Sequence, residues 1–200
     1  MRAARAIAIA ALAALLAASA CDKLRGPAPT PFHGMDVTGM QAGTSLRLPD
    51  FDGKLRSLED FRGKVVAVVF GYTQCPDVCP TTLADWAGAM KKLGADASRV
   101  QLLFVTVDPD RDTPQVLKEY VPAFDPRFLG LRGDAAAVTR VAQDFHVFAQ
   151  VRPGKAPRTY EVDHSTQVFV FDPAGRLRLM VPAGTSSADI ASDVRVLLDS

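Results

Sequence analysis

The apolar positions of this 200-residue chain fall into short runs that predict alternating strands and helices. Two runs, at 65–70 and 100–107, are rich in β-branched residues and almost free of polar interruptions, which is typical of buried strands. The run at 81–93 has apolar residues at helical spacing and stops at Gly94, a common helix terminator. This alternation predicts an α/β domain.

The second half of the chain continues the same alternation. The predicted elements are helices at 114–124 and 135–145, short strands at 128–131 and 146–151, a polar loop at 152–163, a hairpin of strands 166–171 and 177–181, and a terminal helix at 187–198. Leucines on both sides of Asp52-Gly53 predict another hairpin before the first buried strand. The order indicates a thioredoxin-like fold with an N-terminal β-hairpin extension and a central αβ insertion.

Residues 1–20 have the composition of a bacterial export signal, with Arg2 and Arg5 followed by an Ala/Leu/Ile stretch and then small residues. Cys21 follows at the position of a lipidated cysteine, so we interpret the segment as a lipoprotein signal. Ordinary cleavage after Ala20 and retention as an uncleaved anchor are the alternatives. All three place the domain outside the cytoplasm, and Asp22 resembles an inner-membrane retention signal.

Residues 21–42 are rich in Pro and Gly and lack periodicity, which predicts a membrane-proximal tether. The folded domain is then expected at 43–200. Loss of Arg2 and Arg5 with the signal reduces 23 basic residues to 21, against 22 acidic ones. This balance contains no basic excess that would indicate nucleic-acid binding.

Cys75 and Cys79 lie between the predicted strand 65–70 and the helix that follows it. Each precedes a proline, and Cys79 falls close to the expected helix N-terminus, where the helix dipole favours a thiolate. A structural disulfide is the alternative, but it would close a very short loop and so stabilise little. The pair therefore predicts redox chemistry or metal binding.

His164 precedes the strand predicted at 166–171, which in a thioredoxin-like sheet lies beside the strand that leads to the cysteines. Two thiolates and an imidazole suit copper, because Cu(I) favours soft thiolates and Cu(II) also favours nitrogen. Zinc with an open coordination position fits the same ligands. Asp77 and Asp163 could orient the imidazole or tune the sulfur atoms.

Four segments closely resemble the Sco/SenC family of membrane-tethered, thioredoxin-like copper proteins that assist cytochrome c oxidase assembly. They are FGYTQCPDVCPTTL, LFVTVDPDRDTP, YVPAFDPRFLGLRGD and VDHSTQVFVFD. The resemblance covers roughly residues 31–184 and implies one copper ion, as Cu(I) or Cu(II), on Cys75, Cys79 and His164. Many members have a retained transmembrane helix, whereas this chain has a short Ala-rich segment.

The resemblance implies a metallochaperone that delivers copper to the binuclear site of cytochrome c oxidase subunit II. A periplasmic copper donor and a thiol reductant would be its other partners, at the periplasmic side of the inner membrane. The alternatives are a thiol–disulfide oxidoreductase that reduces the cysteines of that site, and a peroxiredoxin-type peroxidase. We interpret the segment 107–114 as mainly structural, and His33 and His146 as having no role at the site.

Overall fold

A six-stranded mixed sheet forms the centre of the structure, a computed structural model that describes residues 31–153 and 160–200. In spatial order its strands are β1 (Met35–Asp36), β10 (Leu177–Val181), β9 (Val168–Phe171), β4 (Val65–Gly71), β5 (Val100–Thr106) and β6 (Leu129–Leu131). Strands β4, β5 and β6 are parallel, whereas β9, β10 and β1 join by antiparallel pairing. Every residue of β4 and β5 is buried, as the uninterrupted apolar runs predicted.

Helices pack on both faces of this sheet. They are α1 (Val78–Leu93), α2 (Pro114–Tyr120), α3 (Ala135–Asp144) and α4 (Ser187–Leu198). One core cluster joins α1 and α4 to the sheet around Trp86, and the other face is filled by an aromatic cluster around Phe145. The Phe145 ring lies 5.0 Å from that of Phe70 and 5.1 Å from that of Phe169, both in edge-to-face geometry. The predicted α/β thioredoxin-like fold is confirmed.

Two short antiparallel ribbons lie outside the main sheet. Strands β2 (Arg47–Pro49) and β3 (Leu55–Ser57) form the hairpin predicted around Asp52-Gly53, where Gly53 adopts a φ of 82°. Strands β7 (Ala149–Pro153) and β8 (Tyr160–His164) form the second ribbon. The prediction of a polar loop at 152–163 is therefore wrong at both ends, where residues 152–153 belong to β7 and residues 160–163 to β8. The strand predicted at 146–151 overlaps β7 but begins three residues too early, and β8 was not predicted.

The tether predicted at 21–42 does not include residues 31–42, which belong to the folded domain. Met35 pairs with Met180 in β1–β10. Asp193 of α4 accepts hydrogen bonds from the backbone N–H groups of His33 and Gly34, both at 2.8 Å. The lack of periodicity concealed this attachment, which rests on backbone pairing, on one buried carboxylate and on the packing of Phe32, Val37 and Met40 against the two core clusters.

The predicted export signal, Cys21 and the first part of the tether lie outside the described residues. Within residues 31–153 and 160–200, no helix combines the length and the hydropathy needed to cross a bilayer.

Candidate metal centre

The two cysteines lie at the carboxyl-terminal edge of the parallel strands, where β4 leads into α1. Cys75 is partly exposed in the connecting turn, and its N–H donates to the carbonyl of Tyr72 at 3.2 Å. Helix α1 begins at Val78, three residues earlier than predicted, so Cys79 lies inside its first turn. Cys79 is only 2% exposed, and both thiols are free.

Gly71, the last residue of β4, leaves the space that the Cys79 side chain occupies. A Cβ atom at this position would lie 2.8 Å from the Cys79 Sγ and 2.8 Å from the Phe104 ring. Real Cβ atoms essentially never approach a neighbour so closely. The absence of a side chain at residue 71 is therefore a condition for the observed position of the Cys79 thiol.

His164 reaches the cysteines from the end of β8. Its Nε2 lies 3.5 Å from the Cys79 Sγ, although the two residues are 85 positions apart. Its Nδ1 donates to the carbonyl of Ser165 at 2.8 Å. Because a carbonyl only accepts, this bond leaves the lone pair on Nε2, which faces the thiols. The Tyr72 ring contacts the imidazole edge-on, with centroids 5.9 Å apart.

Together the ligand atoms of Cys75, Cys79 and His164 lie within 4.8 Å of one another. No other group of three or more His, Cys, Asp or Glu side chains with metal-binding spacing occurs in the part of the chain that the structure describes. Two sulfurs and one imidazole nitrogen are suitable donors for copper, in either oxidation state, and for zinc. The residues present therefore fit a soft or borderline metal ion.

The two thiols differ strongly in acidity. Hydrogen bonds from the Cys79 thiol and from the backbone N–H groups of Asp77 and Cys79 to the Cys75 sulfur lower the pKa of Cys75 to about 3, against the effect of burial. The hydrogen bond to Cys75 and burial raise the pKa of Cys79. The sequence predicted the thiolate at Cys79, and that prediction is wrong, because Cys79 is buried and shares its proton with an ionised neighbour.

Neither predicted supporting carboxylate bonds to the site. Asp163 precedes His164 in β8, and adjacent strand residues point to opposite faces, so its carboxylate instead accepts from Arg152 Nε at 2.7 Å. The carbonyl of Ser165 fixes the imidazole in its place. The Asp77 side chain is exposed and makes no capping hydrogen bond at the start of α1, and only its backbone N–H reaches Cys75.

The segment 107–114, which was interpreted from the sequence as mainly structural, supplies polar support to the cysteine turn. Asp112 is fully buried and accepts from Thr73 Oγ1 and Thr106 Oγ1, each at 2.6 Å. Arg111 Nη1 donates to the side chain of Gln74, which precedes Cys75, at 3.2 Å. The sequence could have indicated this support. The segment begins at the end of the strand predicted at 100–107, and the carboxyl ends of neighbouring parallel strands meet at one edge of a sheet.

The fold and the site define a thioredoxin-like protein with a Cys₂His cluster, a class suited to metal binding or thiol redox chemistry. The family model of SCO1/SenC matches residues 37–199. The chain therefore belongs to the SCO1/SenC family.

Known relatives agree with this assignment. The chain is 37% identical over 150 residues to the mitochondrial SCO2 homolog of Bos taurus, covering 74% of this chain and 56% of the relative. It thus spans little more than half the length of that protein. Among solved structures, ScoI of Bradyrhizobium japonicum with copper bound is 33% identical, with a TM-score of 0.70, covering 82% of this chain and 98% of the other. Apo Sco1 of Thermus thermophilus is 39% identical, with a TM-score of 0.75, covering 86% and 99%.

Proposed function

We propose that this protein binds one copper ion through Cys75, Cys79 and His164 and delivers it to the binuclear copper site of cytochrome c oxidase subunit II. The observation that carries the proposal is the convergence of three suitable ligand atoms within 4.8 Å in a member of the SCO1/SenC family. Copper is preferred over zinc because a relative of similar fold, ScoI of Bradyrhizobium japonicum, has copper bound.

The unequal burial of the three side chains supports transfer of copper to a recipient protein that approaches the site from one side. Cys79 is buried, whereas Cys75 and His164 are each partly exposed. A recipient protein would therefore approach Cys75 and His164 first, and its own sulfur or nitrogen ligands would replace these two donors before Cys79. Because Cys75 is ionised at neutral pH and Nε2 of His164 carries the lone pair, neither needs to lose a proton before binding.

Metal titration of the thiol-reduced protein tests this proposal. We expect about one equivalent of Cu(I) or Cu(II) to bind, with strong thiolate-to-copper absorption in the Cu(II) form. His164→Ala should keep Cu(I), which two thiolates satisfy, but lose most Cu(II) affinity and the absorption. His146→Asn is the matched control, because His146 has a positive φ of 53° that Asn tolerates. Unchanged Cu(II) spectra in His164→Ala would overturn the ligand set.

Thiol–disulfide exchange is the second candidate, and the low pKa of partly exposed Cys75 favours it. The Cys75 thiolate would attack a disulfide of the target and release one target thiol. Cys79, after losing its proton, would then form the Cys75–Cys79 disulfide and release the second. Two electrons pass to the target, Cys79 and the solvent each supply one of the two protons, and an external thiol reductant must restore the pair.

Cells expressing single variants separate the two candidates. If copper delivery is the function, oxidase assembly should fail in Cys75→Ser, Cys79→Ser and His164→Ala. If dithiol reduction is the function, His164→Ala should keep substantial activity, because joining two sulfurs needs no imidazole. A Cys75–Cys79 disulfide form that binds copper as tightly as the reduced form would contradict the first candidate, since copper needs both thiolates.

We further propose attachment to the periplasmic side of the inner membrane through lipidated Cys21, with copper supplied by a periplasmic donor. The support is the export-signal pattern of residues 1–20 and the position of Cys21 after it. Cys21→Ser should leave an unprocessed precursor or release the protein from the membrane fraction. A Cys21→Ser protein that is processed normally and stays membrane-bound would argue against lipidation.

A further inference from the structure

The third ligand of the cluster lies on a strand that is not part of the central sheet. His164 ends β8, which pairs only with β7 among the described strands. Every residue of β7 is exposed, and Val162 is the one buried residue of β8. The hydrogen bonds of the main sheet therefore do not determine how far His164 lies from the cysteines. Some other contact must hold the β7–β8 ribbon against the cysteine turn.

Arg111 makes one such contact from the segment after β5, beside the burial of Val162 and the hydrogen bond between the Val162 backbone and the Tyr72 side chain. One atom, Nη1, donates to the Gln74 side chain at 3.2 Å and to the backbone carbonyl of Tyr160 at 3.0 Å. Gln74 directly precedes Cys75, and Tyr160 is the first residue of β8. A single guanidinium nitrogen thus joins the segment that carries the thiols to the strand that carries the imidazole.

Aromatic contacts and a buried carboxylate fix the position of this guanidinium. Its central carbon lies 3.6 Å from the centroid of the Tyr160 ring and 5.5 Å from that of Tyr72, whose edge faces His164. Asp108, which is 5% exposed, pairs with Arg111 Nε and accepts from the Tyr160 hydroxyl at 2.8 Å. Arg111 and Tyr160 are therefore held by the same carboxylate as well as by each other.

A contribution to stability alone does not account well for this arrangement. The second terminal nitrogen of Arg111, Nη2, is buried and has no hydrogen-bond partner among the described residues. An unsatisfied buried donor destabilises the folded state. The guanidinium thus lies where it donates hydrogen bonds to both the cysteine turn and the ribbon, although its own Nη2 group is left without a partner among the described residues.

We propose that Arg111 is a positioning residue that locks the β7–β8 ribbon to the cysteine turn and so keeps His164 within bonding distance of the metal bound by Cys75 and Cys79. The proposal rests on the proposed copper function and deepens it: Arg111 decides whether the imidazole is available, and therefore how well the site holds Cu(II) relative to Cu(I). Tyr160 is the partner through which Arg111 acts.

The test compares Arg111→Met with a matched variant elsewhere in the full-length protein. Arg56 has nearly the same environment: its side chain is 20% exposed, against 19% for Arg111, and it pairs with buried Asp50 and lies over the ring of Phe61 at 5.9 Å. Arg111→Met should weaken Cu(II) binding by about 10- to 100-fold, the range for groups that orient metal ligands, and leave Cu(I) binding unchanged. Arg56→Met should change neither.

A second measurement uses the metal-free protein. Amide hydrogen exchange of β7 and β8 should become faster in Arg111→Met than in Arg56→Met, while exchange in β4 and β5 stays the same in both. If the wild-type protein took up no copper, the proposed function would fail, and this exchange measurement would still decide the role of Arg111.

Two conservative variants keep the test independent of gross misfolding. Arg111→Lys retains the charge but cannot donate from a planar fork, so it should resemble Arg111→Met in Cu(II) binding. Tyr160→Phe removes only the hydroxyl bond to Asp108 and should have an intermediate effect. A normal Cu(II) spectrum in Arg111→Met, with stability lowered as in Arg56→Met, would overturn the proposal. Equal loss of Cu(I) and Cu(II) would do so too, because Arg111 would then support the cysteines and not the ribbon.

Discussion

The buried carboxylate of Asp112 holds Thr73, two residues before Cys75, by two different groups. It accepts from the Thr73 hydroxyl at 2.6 Å and from the Thr73 N–H at 3.1 Å. Burial raises the pKa of Asp112. The carboxylate is nevertheless the acceptor for three donors, which are the Thr73 N–H and the hydroxyls of Thr73 and Thr106. This carboxylate joins the ends of β4 and β5 on the side of the thiols.

Replacement of Asp112 by Ala should therefore lower the free energy of unfolding by about 1–3 kcal/mol, because a buried N–H and two hydroxyls lose their acceptor. Denaturant unfolding of the metal-free protein measures this change. Thr73→Val removes one donor and leaves the Thr106 bond in place, so it should cost less. A larger loss in Thr73→Val than in Asp112→Ala would contradict the role assigned to the carboxylate.

Gly71→Ala should displace the Cys79 thiol, since the new Cβ would lie 2.8 Å from its sulfur. We expect weaker binding of both Cu(I) and Cu(II), together with a loss of about 1–3 kcal/mol in stability from overpacking. Copper titration and thermal unfolding measure the two effects. Gly130→Ala, on neighbouring β6, is the control, because its Cβ would meet only apolar side chains at 3.1 Å or more. Equal copper affinity in both variants would show that residue 71 does not determine the thiol position.

The lowered pKa of Cys75 predicts selective alkylation of the metal-free, reduced protein. With a pKa of about 3, Cys75 is ionised throughout pH 5–8, so its rate should stay nearly constant, whereas an ordinary thiol would gain about tenfold per pH unit. Buried Cys79 should remain unmodified. Mass spectrometry after brief iodoacetamide treatment measures both sites.

The control for alkylation is Cys79→Ala, which removes the thiol that donates to the Cys75 sulfur. In this variant the pKa of Cys75 should rise, and its alkylation should become dependent on pH. Preferential modification of Cys79 in the wild-type protein would show that the thiolate is at the helix and not in the turn.

The attachment of the N-terminal segment should depend on pH through His33. Its hydrogen bond to Asp193, with further attraction from Asp189 and Asp193, raises the pKa of His33 above 6.5. The stability that the protonated ring adds is therefore fully present below the unfolded pKa of about 6.5 and is lost as pH rises through the folded pKa. The difference in unfolding free energy between wild type and His33→Gln should thus be larger at acidic than at alkaline pH. A difference that did not vary with pH would mean that the charge of His33 contributes nothing to this attachment.

Local pattern was sufficient for the secondary structure of the core. The runs at 65–70 and 100–107 correspond to the buried strands β4 and β5, the terminal helix was predicted at 187–198 and occurs there, and a hairpin forms around Asp52-Gly53 as expected. These elements are determined by the spacing of apolar residues and by turn residues, both of which are properties of adjacent positions. The cysteine pair and His164 were also recognised from the sequence, through the types of their side chains and the family resemblance.

Only the tertiary structure decided which groups act together. In the structure, the thiol with the lowered pKa is Cys75, and the carbonyl of Ser165 holds the His164 imidazole in place of the predicted Asp163. Arg111 joins the β7–β8 ribbon to the cysteine turn. The first of these results depends on the burial of Cys79 and the third on hydrogen bonds between segments far apart in the chain, whereas the second follows from the strand geometry that directs Asp163 away from the site. Strands β1 and β7 are exposed along their whole length, so their pairing follows from the backbone of the partners they meet and is not specified by buried side chains of their own.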